Sequence, residues 1–319
     1  MPRQNVDDSG AGSWKALFAA PVIFIIILAG LFAYSGIWPP LVVIESKSMQ
    51  HSDTQSAIGV IDTGDLVVVK KATSASQVTT YVDGMSSGYS TYGEYGDVII
   101  YYKSGLSKPI IHRAIVNLVY NQTGGGFDIP SLEKIPADEW SVSSGPQSCW
   151  NQKGTVDLKD VGYAHVTVHL DLAGMLNYFK DRDMRPHGGL ITMGDNNWSP
   201  STSGNVGTYD QQSIMKEPIQ DTWIIGLARG EIPWFGLLKL WLTGAAPPYV
   251  PHNSEYYLMF TLGLLIGIPL AMDISNMYLK KRGVDMFGWT RSLVPKRLRK
   301  SKLKKEDEAN KKSKQKDEG

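Results

Sequence analysis

Pro109-Ile110-Ile111-His112-Arg113-Ala114-Ile115-Val116-Asn117-Leu118-Val119-Tyr120 is a β-branched and apolar run, closed on its far side by the turn-forming stretch Asn121-Gln122-Thr123-Gly124-Gly125-Gly126. Side chains of this kind fit a pleated, half-buried surface, so the run predicts a strand. Working outward, similar runs recur at Leu41–Glu45, Asp65–Lys71, Asp97–Tyr102, Ala164–Leu170, Leu190–Met193 and Trp223–Arg229, separated by Gly, Pro, Ser and Asp. This predicts a mainly β fold. Two of the runs open on Gly-Asp, at Gly64-Asp65 and Gly96-Asp97, and read as related strand starts rather than a repeat. No nucleotide-binding glycine loop is present.

Two polar insertions interrupt the strands, at about 72–95 and about 121–160. Neither has a helical period, and both are expected to be loop decoration on a smaller core. Ile232–Trp241 reads as an amphipathic or interfacial segment.

The β region lies between two uncharged apolar stretches. Ala16–Trp38 carries Val22-Ile23-Phe24-Ile25-Ile26-Ile27-Leu28, and Tyr256–Met272 opens on a pair of tyrosines, Tyr256 and Tyr257, suited to an interface. Both predict transmembrane helices. The first is longer than the apolar part of a cleavable signal, and Trp38-Pro39-Pro40 is no small-residue cleavage site.

The formal charge of +1 sums two unlike parts: from Lys280 onward there are 15 Lys/Arg against 6 Asp/Glu, leaving −8 on the first 279 residues. Positive charge beside a span marks the cytoplasmic side. The expected organisation is a short cytoplasmic N-terminus (1–15), a first span (16–38), an extracytoplasmic β-domain (39–255), a second span (256–272) and a basic cytoplasmic tail (273–319). Lys300–Gly319 mixes Lys and Glu without apolar periodicity, which predicts disorder and lipid contact. The tail lacks interleaved aromatics, so nucleic acid is not expected as a partner. The single cysteine, Cys149, excludes an intramolecular disulfide and a Cys-rich metal site, and no cofactor is expected.

Three short segments carry groups suited to nucleophilic chemistry. Glu45-Ser46-Lys47-Ser48-Met49 offers a serine, which needs an adjacent base before it can attack a carbonyl. Ser-rich turns are common, so the segment alone is also an ordinary turn. His112 can accept a proton near neutrality, although a lone strand histidine is more often a structural core residue. Arg113 should point to the opposite face. Thr192-Met193-Gly194-Asp195-Asn196-Asn197 is a turn sequence, and Asp210 follows a Ser/Gly-rich stretch, Ser199–Tyr209. Either Asp195 or Asp210 could accept the far N–H of an imidazole. His51, Lys103 and Lys108 remain rival bases.

Taken in order, Ser46-Lys47-Ser48-Met49, Gly64-Asp65, Gly96-Asp97-Val98-Ile99-Ile100-Tyr101, Ile111-His112-Arg113-Ala114-Ile115, Gly194-Asp195-Asn196-Asn197 and Gly226–Gly236 after a membrane span resemble type I signal peptidases. The resemblance is to the archaeal and endoplasmic-reticulum type, with His112 where bacterial members place a lysine. It implies a membrane-bound serine endopeptidase with Ser48 as nucleophile, His112 as general base and Ser46 as an oxyanion donor. It brings in Asp195 and a second aspartate as support for the histidine. The usual spacing puts that second acid near Ser201, so Asp210 is favoured as partner with Asp195 shaping the site, and the reverse stays open. His51 stands where relatives often have proline. The implied substrates are secretory preproteins with small-residue cleavage sites, the implied surroundings a lipid bilayer, and the protein-export machinery is a further candidate partner. Two other classes fit the sequence: a catalytically silent, membrane-anchored substrate-binding subunit, and a surface structural protein with sequons at Asn121 and Asn197.

Overall fold

A computed structural model describes residues 10–282. Residues 1–9 of the expected N-terminal segment, and 283–319 of the expected basic tail, lie outside the described residues.

Helix α1 (Gly10–Ser35) leads to strands β1 (Leu41–Val43) and β2 (Leu66–Lys71). Helix α2 (Tyr81–Ser87) and the hairpin β3 (Ser90–Thr91) and β4 (Glu94–Tyr95) follow. Next come β5 (Val98–Tyr101), β6 (Ile110–Asn121), β7 (Gly126–Asp128), β8 (Trp140–Val142), β9 (Thr155–Val161) and β10 (Val166–Asp171). Helix α3 (Leu172–Asp181), β11 (Gly189–Met193), β12 (Trp198–Ser201), β13 (Gly204–Gly207) and helix α4 (Asp210–Ser213) precede β14 (Ile224–Ile232), α5 (Gly236–Leu242) and α6 (His252–Lys281).

The region between the two long helices is mainly β. Its larger sheet runs β1-β2-β14-β5-β6-β11, with β7 added on β6, and its second sheet runs β12-β13-β10-β9-β8. The long strand β6 sits between β5 and β11, with Ile99 opposite His112 and Met193 opposite Arg113. Ala114, Ile115 and Val116 are buried. His112 therefore stands on a strand fixed from both sides.

The expectation of unstructured insertions is overturned. Residues 72–95 form α2 and the β3–β4 hairpin: Thr80 caps the helix by accepting from the Asp83 N–H, and Gly88 closes it in a left-handed conformation. The segment at 121–160 supplies Phe127, Ile129, Leu132, Ile135, Trp140, Cys149, Val156 and Leu158 to one buried cluster, shared with Ile115, Val116 and Leu118 of β6. Its apolar residues are spread over short strands and turns, so no single period announces them. Helix α3, with Leu172, Met175 and Phe179 buried, was likewise not anticipated, nor was the β12–β13 hairpin in place of a flexible Ser199–Tyr209 stretch.

Asp65, 1% exposed at the start of β2, accepts from the N–H groups of Asp62 (2.8 Å) and Trp234 (2.8 Å), tying β2 to the chain after β14. Burial outweighs those two bonds and pushes its carboxyl from 3.8 up to about 7. A raised folded-state value means that the stabilisation is complete in acid and is lost as pH rises from about 4 through about 7, on the order of 4 kcal/mol. Asp65→Asn should therefore flatten the fall of melting temperature between pH 4 and 7 relative to the parent, although it loses one acceptor. An unchanged slope would exclude Asp65 as the source.

Candidate active site

The turn after β1 is anchored by its apolar neighbour. Met49, 1% exposed, enters a core cluster with Ile44, Ile61, Val67, Val69, Val98 and Ile100, which leaves Ser46 and Ser48 at the surface side of the turn. Gln50, fully buried, accepts from the Thr63 N–H at 3.1 Å and holds the far end.

Ser48 Oγ lies 2.9 Å from His112 Nε2, and His112 Nδ1 lies 2.8 Å from each carboxylate oxygen of Asp210. A carboxylate can only accept here, so Nδ1 carries the proton and Nε2 accepts from the Ser48 hydroxyl. His112 is 4% and Asp210 0% exposed. Asp210 Oδ2 also accepts from the Tyr101 hydroxyl at 2.6 Å and the Thr192 hydroxyl at 2.5 Å. Burial, with the Asp210 carboxylate beside it, pushes the Tyr101 phenol well above its ordinary value, so it remains a donor. Sequence alone assigns no role to either: Tyr101 closes the segment Gly96–Tyr101 that carries the resemblance, and Thr192 opens the turn sequence Thr192–Asn197.

Asp210 is placed by its own helix. The Gln211 amide accepts from the Thr192 N–H at 3.2 Å, pinning the short helix α4 against β11. Gly194 lets the turn after β11 approach the dyad: a Cβ there would lie 2.5 Å from the Ser48 carbonyl oxygen and 2.9 Å from His112 Nε2.

Asp195 has a different partner. It takes a two-pronged bond from Arg113, Nε to Oδ1 at 2.8 Å and Nη2 to Oδ2 at 2.6 Å. Burial opposes its ionisation, but the guanidinium outweighs burial and holds its carboxyl below the ordinary range. Arg113, 1% exposed, also faces the carbonyls of Thr91 (2.9 Å), Glu94 (3.2 Å), Tyr95 (3.1 Å) and Gly96 (3.2 Å). The two-residue strand period thus sends His112 to Ser48 and Arg113 to the β3–β4 hairpin.

The rival bases are engaged elsewhere. His51 Nε2 lies 3.2 Å from Asp195 Oδ2, Lys103 pairs with Glu217, and Lys108 pairs with Glu45. Ser201 is exposed on the β12–β13 hairpin. Ser46 Oγ is 3.1 Å from Ser48 Oγ, and among the described residues the Ser48 N–H donates no intramolecular hydrogen bond. Both can therefore serve an oxygen arriving at Ser48.

A cleft of about 1030 Å³ opens on Ser48 and His112, walled by Leu41–Ser46 on one side and Leu106–Ile111 on the other. β1 is the end strand of its sheet, so among the described residues its outer edge is unpaired. Among the described residues no cluster of three or more His, Cys, Asp or Glu side chains could hold a metal ion. Ser48, His112 and Asp210 together form a hydroxyl, a proton acceptor and an orienting acid in hydrogen-bonded series, an arrangement suited to acyl transfer. No family model, curated protein or solved structure matches the chain.

Proposed function

We propose that this protein is a membrane-anchored serine endopeptidase of the type I signal peptidase class, cleaving signal peptides from exported preproteins. The observation that carries the reading is the Ser48–His112–Asp210 hydrogen-bond series at the mouth of a cleft, shortly after the apolar helix α1. Ser48 attacks the scissile carbonyl while His112 takes its proton, then returns it to the leaving amine. Water enters by the reverse route to release the acyl group from Ser48. The substrate lies extended along the free edge of β1, with alternate side chains entering the cleft.

Membrane anchoring is part of the proposal. His252–Leu279 is long and apolar enough to cross a bilayer, and in α1 the apolar segment Pro21–Ser35 includes six consecutive residues, Val22–Ile27, each more than half exposed. Contiguous exposed apolar surface of that kind suits lipid. Lys280 and Lys281 at the end of α6, with Arg282 just after it, favour a cytoplasmic C-terminus, with the β-domain outside and the N-terminus inside.

The test is purified full-length protein with a preprotein, and the product's new N-terminus determined. Cleavage at the signal–mature junction that vanishes in Ser48→Ala is expected; equal cleavage by Ser48→Ala would overturn the reading. The oxyanion role makes a separate prediction. Ser46→Ala should lower kcat about 10²- to 10³-fold, the roughly 3 to 4 kcal/mol typical of one lost oxyanion donor, with KM little changed. Full activity in Ser46→Ala would leave the Ser48 N–H to act without it.

A further inference from the structure

Besides the triad, a second series of donors and acceptors ends on the turn that carries Ser48. It starts in the second sheet. The indole Nε1–H of Trp198 donates to the Tyr163 hydroxyl at 3.2 Å, and that hydroxyl lies 2.9 Å from Asn196 Oδ1. Asn196 Nδ2 donates to the Lys47 carbonyl at 3.1 Å, and the Asn196 N–H donates to the Ser48 carbonyl at 2.8 Å.

The direction of every bond is determined by chemistry. An indole N–H only donates and a backbone carbonyl only accepts, so the Asn196 amide turns its NH₂ to Lys47 and its oxygen to Tyr163. The Tyr163 hydroxyl then accepts from Trp198 and donates to Asn196, with the Gln50 carbonyl a longer second acceptor at 3.3 Å. Such a one-way series strengthens each of its members. It also brackets the nucleophile: Asn196 holds the carbonyls of Lys47 and Ser48, and Tyr163 reaches that of Gln50.

Tyr163 is itself held. It sits in the β9–β10 turn, where the Gly162 N–H donates to the Tyr81 hydroxyl at 2.9 Å and Asn205 donates to the Ala164 carbonyl at 2.7 Å. Its ring stacks on His51 with centroids 4.2 Å apart and planes 23° apart. A group that positions another must be fixed by its own surroundings, and this one is fixed from α2, from β13 and from the turn after Ser48.

We propose that Tyr163 is a positioning residue for Ser48, acting through Asn196, so that the second sheet sets the geometry of the nucleophile. The proposal rests on the serine endopeptidase reading for its effect on rate, and on geometry alone for its effect on the turn. Displacements of about 1 Å at a reacting atom can cost 10²-fold in rate, so modest loosening of residues 47–50 is enough.

The experiment compares full-length wild type, Ser48→Ala, Tyr163→Phe, Asn196→Asp and the Tyr163→Phe/Asn196→Asp double variant, in detergent with a preprotein. Tyr163→Phe keeps the stack on His51 and removes only the hydroxyl. It should lower kcat about tenfold with KM within about twofold and an unchanged melting temperature. Asn196→Asp keeps an acceptor for Tyr163 but loses the donor to Lys47, and should cost about 30-fold. Because the two act in series, the double variant should be no slower than Asn196→Asp alone.

A kcat for Tyr163→Phe within twofold of wild type, or losses that multiply in the double variant, would overturn the proposal while wild type cleaves and Ser48→Ala does not. If wild type does not cleave, the endopeptidase reading fails separately. Amide exchange at Gln50 and Asn196 then still decides the positioning claim: at least a threefold acceleration in Tyr163→Phe is expected, and unchanged exchange would overturn it.

Discussion

Ser48→Ala and His112→Ala are each expected to lower kcat by about 10⁶-fold, and the Ser48→Ala/His112→Ala double variant to be no worse than either single one. Under the proposed function Ser48, His112 and Asp210 act as one device. With the hydroxyl gone, His112 has nothing to deprotonate; with the imidazole gone, the hydroxyl is not activated at neutral pH. Asp210→Asn belongs to the same set, with an expected loss of about 10⁴-fold. An amide at that position can present an NH₂ to His112 Nδ1, which favours the tautomer with its proton on Nε2, facing Ser48. The hydroxyl then finds a donor where it needs an acceptor. Asp195→Asn should not reproduce this pattern, because Asp195 binds Arg113 and His51 rather than His112. Steady-state rates for these variants on one preprotein read the whole set. Losses that multiply in the double variant would mean that Ser48 and His112 do not work together.

The second large effect is on stability. Arg113→Met is expected to destabilise the protein by about 3 to 5 kcal/mol, because it leaves Asp195 as a buried charge without its cation. It also strips a donor from four backbone carbonyls of the β3–β4 region. Adding Asp195→Leu should restore part of the loss, since removing both charges takes away the unpaired one. Denaturant or thermal unfolding of the two variants measures it. A single-variant loss below about 1 kcal/mol would show that water reaches Asp195 readily.

How much of this was visible beforehand differs by residue. The strand carrying His112 is legible because β-branched residues fill both of its faces, and the two-residue period sends Arg113 to the opposite side, where it meets Asp195. The partner acid was not settled by spacing. Asp195 sits nearer the expected position, but the β12–β13 hairpin between it and Asp210 returns the chain to β11, and only that return shows which aspartate meets His112. The large contribution of residues 121–160 to the core was hidden for another reason: its apolar residues come one or two at a time, each ordered by neighbours distant in sequence. Tyr163 gave no local signal either. Its role depends on a turn of one sheet touching a loop of another.

The position of Asp210 on α4, beyond the whole second sheet, gives the molecule a built-in order of assembly. A ribosome that has delivered residues up to about 200 has released Ser48 and His112 but not the acid, nor the Gln211 amide that pins it to β11. Contacts spanning so much chain form late, after local hairpins and helices. Under the proposed function, a chain still being synthesised therefore carries a nucleophile with an unsupported imidazole, and becomes competent to cut only when the domain is nearly complete. Its own apolar anchor at α1, tethered close to that serine, is present throughout this interval without facing a finished site.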